Sequence, residues 1–298
     1  MRILLTGKNG QVGFELQRAL APLGEVVAVD RAQCDLADVA SIRAMVREIR
    51  PQIIVNSAAY TAVDRAECER DQAMAINATA PGVLGEEAAR IGAGVVHFST
   101  DYVFDGRQVE TYRESDAENP LSVYGLSKLA GERALAASGA ANLILRTSWV
   151  VGAHGDNFAK TILRLAAERD ALSVVSDQVG APTSAALIAD VTAQLIGRMR
   201  REGPEGFPFG LYHLTANGAT NWHDYAVYVV ESARSAGLRT MLAPENIRAI
   251  STAEYPQLAK RPANSRLCSE KIQQTFGLTL PKWQSGLDHI LTQILGSP

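Results

Sequence analysis

The sequence predicts an α/β protein: a doubly wound parallel sheet with a smaller, interleaved C-terminal lobe. Two observations predict the sheet. Short continuous apolar runs recur through the first half of the chain, as strands covered on both faces do. Each run is followed by a stretch with apolar residues at helical spacing, and right-handed crossovers then make a doubly wound order the default. A third observation, the loosening of this alternation after Trp149, predicts the separate lobe.

Ile3-Leu4-Leu5 is the first strand, and an amphipathic helix follows its glycines over residues 12–20. The second strand, 26–29, closes on Asp30. A helix over 39–50 puts Ile42, Met45, Val46 and Ile49 on one face, and Pro51 ends it. The third strand is 53–55, and a long helix over 70–91 leads to the fourth, 95–98. A helix over 123–137 precedes the fifth strand, 143–145. Further on, helices are predicted near 157–168 and 187–199, then a Gly/Pro-rich loop at 201–210. A further sheet strand over 211–214 is followed by a helix over 220–234, capped by Thr220 or Asn221.

Of 298 residues, 47% are hydrophobic and 20% charged, enough for a sizeable core. A net charge of −3 provides no global basic field, so neither nucleic acid nor an acidic membrane surface is expected as a partner. Cys34, Cys68 and Cys268 lie far apart, which argues against a zinc site or a disulfide framework and for a cytoplasmic location. The start, MRILLTGKNG, has too short an apolar run for a signal peptide, and no segment approaches the roughly 20 apolar residues of a membrane span. His97, His154, His213, His223 and His289 show no ligand spacing and read as structural or surface residues.

The chemistry begins at TGKNGQVG. Gly7, Gly10 and Gly13, with Gln11 and Val12 between the last two, stand between a strand and a helix. Backbone can approach a pyrophosphate closely there, and free N–H groups at the helix start favour the anion. Asp30 ends the second strand, where an acid accepts hydrogen bonds from ribose hydroxyls; Arg31 beside it can neutralise a 2′-phosphate. NADH and NADPH therefore both remain open. Ser57, Ala58 and Ala59 are small enough for a loop under the cofactor, and Asp35-Leu36 and Ala59-Tyr60-Thr61 are candidate adenine and ribose contacts. Residues 1–150 are accordingly the NAD(P)-binding domain, and 151–298 mainly a substrate lobe with some segments returning to the first.

Tyr124 and Lys128 in YGLSK fall on one helical face. A free phenol, with a pKa near 10, is a poor acid or base at neutral pH, and a nearby ammonium lowers that value. Thr100, at the end of the fourth strand, offers a hydroxyl to a carbonyl or to the tyrosine oxygen. An isolated Y-x-x-x-K would read as a solvated helix face. Here the glycine loop, Asp30 and Thr100 all fall at carboxyl ends of strands, where open α/β sheets bind ligands.

GKNGQVG, STDYVFDG, YGLSKLAGE, RTSWV, NFAKTILRLA, DQVGAPT and RPANSRL, in this order, resemble the extended short-chain dehydrogenase/reductase family over essentially the whole chain. Within it, they are similar to the branch that reduces nucleotide-linked 4-keto-6-deoxyhexoses. The resemblance implies a Rossmann-like fold, NADPH or NADH as cofactor and a dTDP-linked 4-keto-6-deoxyhexose as substrate. The implied reaction carries hydride to C4 of dTDP-4-dehydro-β-L-rhamnose and gives dTDP-L-rhamnose, a precursor of polysaccharides such as O-antigen. Tyr124 would give the proton to the developing alkoxide. Lys128 would hold the nicotinamide ribose and lower the tyrosine pKa, and Thr100 would orient the carbonyl. Asp101 and Trp149 stand where relatives contact the sugar, although Trp149 equally reads as a core residue, and Ser99 reads as shaping the strand end rather than reacting. Arg261 suits a diphosphate or, with Pro262, a structural turn. Relatives hold Mg²⁺ through acids near a homodimer interface. Glu15 fits one such position, but Ala186 stands where another acid would be, so no metal ligand set is assigned.

Alternatives stay open. The 4,6-dehydratases of the family carry Thr-Asp-Glu where this chain has Thr100-Asp101-Tyr102, and a phenol cannot serve as that base. Another ketosugar reductase or an epimerase is the nearest enzyme alternative. The regulatory subunit of methionine adenosyltransferase, similar to these reductases, represents a binding module instead.

Overall fold

The computed structural model describes residues 1–296. Six parallel strands, β1 (Arg2–Thr6), β2 (Glu25–Val29), β3 (Ile53–Asn56), β4 (Gly94–Thr100), β5 (Asn142–Thr147) and β6 (Gly210–His213), form one sheet in the order β6-β5-β4-β3-β1-β2. β3 and β4 are buried throughout, which explains their unbroken apolar character. The order reverses direction at β1, and the crevice between β1 and β3 is the switch point at which open α/β sheets take ligands.

Helix α1 (Gln11–Leu20) covers one face of the sheet, and α2 (Val39–Ile49) covers the other, beginning at an Asp38 cap. α2 ends one residue before the predicted end because Arg50 turns left-handed (φ 48°) ahead of Pro51. The single helix predicted over 70–91 is interrupted. A turn of α-helix, Arg70–Met74, passes into π-helix over Ala75–Thr79 before α3 (Ala80–Ile91). Pro81 has no N–H to give the Asn77 carbonyl four residues back, so the regular ladder cannot pass this point. Beyond it, α4 (Val123–Ala137) packs on α3.

After β5 come α5 (Phe158–Glu168), capped by Asn157, and α6 (Ala185–Glu202), capped by Ser184. α7 (Trp222–Ser235) is capped by Asn221 and is followed by α8 (Glu270–Phe276) and α9 (Trp283–Leu295). α6 returns to the sheet and packs beside α1, and β6 adds the sheet edge. α5, α7 and α9 enclose a second apolar core around Tyr225, Val229, Leu287 and Ile290. A parallel pair, Leu172–Val175 with Ile247–Ile250, flanks that core and has no counterpart in the sequence reading. Among the described residues, no helix is long and apolar enough to cross a membrane.

Candidate active site

The β1–α1 loop is cut to fit backbone against backbone. A Cβ at Gly13 would lie 2.0 Å from the Gly7 carbonyl oxygen, and one at Gly7, where φ is +73°, would lie 2.7 Å from the Ala58 nitrogen. Ser57 and Ala58 thus form the floor under the loop. No side chain caps α1 at Gly10, so its first N–H groups face the crevice unclaimed. Gln11 reaches across to the other lobe, accepting from Asn157 Nδ2 at 3.0 Å, while Val12 packs against the core.

Asp30 stands at the end of β2. Its carboxylate takes the Ala32 N–H and lies 3.2 Å from the Lys8 ammonium, whose hydrogen bond holds its pKa below the usual range. Arg31 is exposed and reaches Asp35 at 3.5 Å. Leu36 turns its side chain into the core with Cys34 and Ile42. Ala59-Tyr60-Thr61 forms the opposite wall. The buried Asn77 holds it by accepting from the Tyr60 N–H at 2.8 Å and donating to the Tyr60 carbonyl at 3.0 Å.

At the carboxyl end of β4, Thr100 ends the strand and Asp101-Tyr102-Val103 forms a short 3₁₀ turn, with the Tyr102 N–H donating to Thr100 Oγ1 at 3.2 Å. Ser122 caps α4 and thereby places Tyr124 in its first turn. Gly125 lets the helix sit against this turn, since a Cβ there would meet the Tyr102 carbonyl oxygen at 2.2 Å. Thr100, Asp101, Tyr124 and Lys128 are thereby gathered at one strand end. Ser99 lies buried just behind them.

The electrostatics differ from the expectation for an exposed tyrosine–lysine pair. Burial pushes the Tyr124 phenol up to about 12; the Thr100 hydroxyl pulls it down and Asp101 raises it further. The Lys128 ammonium is engaged with β4 instead: Nζ donates to the Phe98 carbonyl at 2.7 Å and lies 3.3 Å from His97 Nε2. Burial draws Lys128 down to about 8, against Glu132, which raises it. Asp101, 2% exposed, is pushed up to about 6 by burial, against hydroxyl bonds from Ser265 and Thr100. Burial and the neighbouring Asp101 hold the Tyr102 phenol well above its ordinary value, so it cannot act as a base.

Trp149 follows β5 with a left-handed backbone (φ 47°) and stacks on Trp222 of α7, with ring centroids 3.6 Å apart. Trp222 Nε1 donates to Gln178 Oε1 at 3.1 Å. Trp222, Gln178, Phe158, Arg248, Tyr255 and Arg261 line a cleft of about 1110 Å³ in the second lobe. Arg261 is tied to Asp64 through Nη2–Oδ2 at 2.9 Å, so the residue read as a phosphate ligand or a turn is also an anchor between the lobes. Glu15 pairs with Arg18 at 3.4 Å, and among the described residues no group of three or more His, Cys, Asp or Glu could hold a metal ion.

Several residues of the site escaped the sequence reading. Lys8 and Asn77 left local signals: a cation inside a glycine loop, and a lone amide on an apolar helix face. Trp222 and His97 left none, because their partners lie 73 and 31 positions away.

The family described as the RmlD substrate binding domain matches residues 1–295. A dTDP-4-dehydrorhamnose reductase of Escherichia coli K12 is 51% identical over 298 residues, covering 99% of this chain and 98% of its own. Another, from Burkholderia thailandensis, is 46% identical and covers 95% of this chain and 96% of its own. Among solved structures, the dTDP-4-dehydrorhamnose reductase of Clostridium acetobutylicum superposes with a TM-score of 0.88 at 37% identity, covering 98% of each chain. The Bacillus anthracis enzyme, solved in complex with NADP, gives 0.86 at 34% identity over 98% of this chain and 99% of its own. The chain belongs to the RmlD substrate binding domain family, whose members named here are dTDP-4-dehydrorhamnose reductases.

Proposed function

We propose that this chain reduces the C4 ketone of dTDP-4-dehydro-β-L-rhamnose to dTDP-L-rhamnose with NADPH or NADH. The observation that carries the reading is the gathering of Thr100, Tyr124 and Lys128 at the end of β4, beside the glycine cradle, in a full-length member of the family. The cradle fits a dinucleotide, since Gly7 and Gly13 leave room only for backbone and α1 presents uncapped N–H groups. When bound, the nicotinamide supplies the hydride. Asp30 would take the adenosine ribose, with Arg31 and Lys8 at hand for a 2′-phosphate.

Thr100 and Tyr124 would hold the carbonyl oxygen, and the phenolic proton would pass to the alkoxide as it forms. A phenol near 12 is fully protonated at neutral pH, which suits a proton donor in ketone reduction. The cleft beyond Trp149 and Trp222, with Arg248 and Arg261 on its wall, would take the nucleotide diphosphate. Three unpaired thiols accord with a cytoplasmic setting. The test is oxidation of NADPH by purified protein, which is expected only when the dTDP-linked ketosugar is present. No turnover with any nucleotide ketosugar, alongside tight binding to a methionine adenosyltransferase, would reject the enzyme reading.

A further inference from the structure

His97 is fully buried on β4 and takes no part in the reaction described above. It stands in a continuous chain of polar groups under the active site. The Ala58 N–H, beneath the glycine loop, reaches Thr6 Oγ1 at 3.4 Å, and Thr6 donates to Asn56 Oδ1 at 2.6 Å. Asn56 Nδ2 lies 3.1 Å from His97 Nδ1, and His97 Nε2 lies 3.3 Å from Lys128 Nζ. Burial and the facing Lys128 hold the imidazole well below its ordinary pKa, so His97 is neutral and offers one donor and one acceptor. Which nitrogen does which is set by its neighbours. With Asn56 donating to Nδ1, the Nε2–H points at a lysine amine. A half-turn of the Asn56 amide reverses the sense and leaves Nε2 free to accept from an ammonium.

We propose that His97 is a positioning residue for Lys128: a neutral imidazole that exchanges tautomers with the charge of the lysine and sustains its ammonium form inside the protein. The proposal rests on the reading of Lys128 as a residue of the reductase site. Hydrogen bonds to a charged group are about twice as strong as neutral ones, so an exchangeable partner favours the ammonium over the amine. The other groups facing Lys128 do not substitute for it. The Phe98 carbonyl accepts one N–H, Tyr124 one turn earlier is a neutral phenol, and Glu132 one turn later is bound by Arg146 of β5 at 2.6 Å. The chain also ends under Ala58, so hydrogen bonds connect the lysine with the floor of the dinucleotide cradle.

The test compares His97→Leu, His97→Gln and His97→Asn in the pH profile of kcat/KM, together with the ¹⁵N shifts of His97 in the unaltered protein. Leu removes both ring nitrogens and leaves Asn56 and Lys128 unpaired there; Gln can return a reversible amide at the Nε2 position; Asn is too short to reach Lys128. In the Leu and Asn variants, the alkaline limb should move down by about one pH unit, a roughly tenfold loss on that limb with little loss at the acid end. Gln should restore the limb. A uniform loss at every pH, or identical profiles for Gln and Asn, overturns the proposal; the Gln–Asn pair decides it if the Leu variant does not fold. In the unaltered protein, the His97 ring nitrogens should exchange roles in step with Lys128, and a fixed tautomer across that range overturns it as well. The ¹⁵N measurement needs no substrate, so absence of ketosugar turnover would sink the reductase reading while leaving the His97–Lys128 coupling to be judged separately.

Discussion

Tyr124 concentrates the chemistry of the proposed reaction in one hydroxyl. Its pKa near 12 arises from burial first, with Thr100 pulling down and Asp101 raising it. In the proposed reaction the tyrosine would therefore serve as a proton donor that never needs to ionise beforehand. Tyr124→Phe is expected to lower kcat by about 10²–10⁴, the usual worth of a placed general acid. The dissociation constant for NADPH should remain unchanged, because the ring stays and only the phenolic proton is lost. Turnover close to that of the unaltered protein would remove Tyr124 from the mechanism. Asp101 is legible as a polar residue at a strand end, but its raised pKa is not. That depends on the burial of its carboxyl group, which only the folded chain reveals.

At the scale of elements, the site depends on how closely α4 meets the end of β4. Gly125 sets that approach, and Gly125→Ala would push a methyl group to 2.2 Å from the Tyr102 carbonyl oxygen. The helix must shift, at a cost of about 1–3 kcal/mol for overpacking. Tyr124 and Lys128 would shift with it, so kcat should fall further than the loss of stability alone explains. A variant with reduced melting temperature but full kcat would show that this contact does not position the pair.

The same scale shows what could be read in advance. The strands, the glycine loop and the Tyr124–Lys128 pair are legible because their signals are local: apolar runs, turn residues, a spacing of four. The π-helical turn at Ala75–Thr79 was not, since a proline within a helical pattern does not say which way the ladder yields. Nor was the pairing of Leu172–Val175 with Ile247–Ile250, in which each run is short and its partner lies 75 positions away. Arg261 was singled out by its chemistry, but Asp64, 197 positions earlier, could be assigned to it only by the fold.

Across the whole molecule, buried titratable groups link stability to pH. His97 is held well below 6.5 by burial and Lys128, and His213 is pushed down to about 3 by burial and Arg146. Below pH 6.5 the unfolded chain therefore takes up two protons that the folded chain refuses. Each costs about 1.36 kcal/mol of stability per pH unit. Asp101 works in the opposite direction. Raised from 3.8 to about 6, it binds a proton in the folded chain first, and from about pH 6 downward it offsets one histidine. The unfolding free energy should thus fall by about 2–3 kcal/mol between pH 6.5 and 5. Denaturant titrations at the two pH values check this, and equal free energies would mean that these histidines are not held neutral.

In the proposed reaction Thr100, Tyr124 and Lys128 direct a hydride to one carbonyl carbon of a nucleotide-linked ketosugar. The most direct measurement follows deuterium from NADPH doubly deuterated at nicotinamide C4 into the product by NMR, using dTDP-4-dehydro-β-L-rhamnose as substrate. One deuterium is expected at C4 of dTDP-L-rhamnose, with none at C3 or C5 and one cofactor oxidised per sugar reduced. Deuterium elsewhere in the ring, an epimerised ketone without net cofactor oxidation, or no reaction with Tyr124 and Lys128 intact would contradict it.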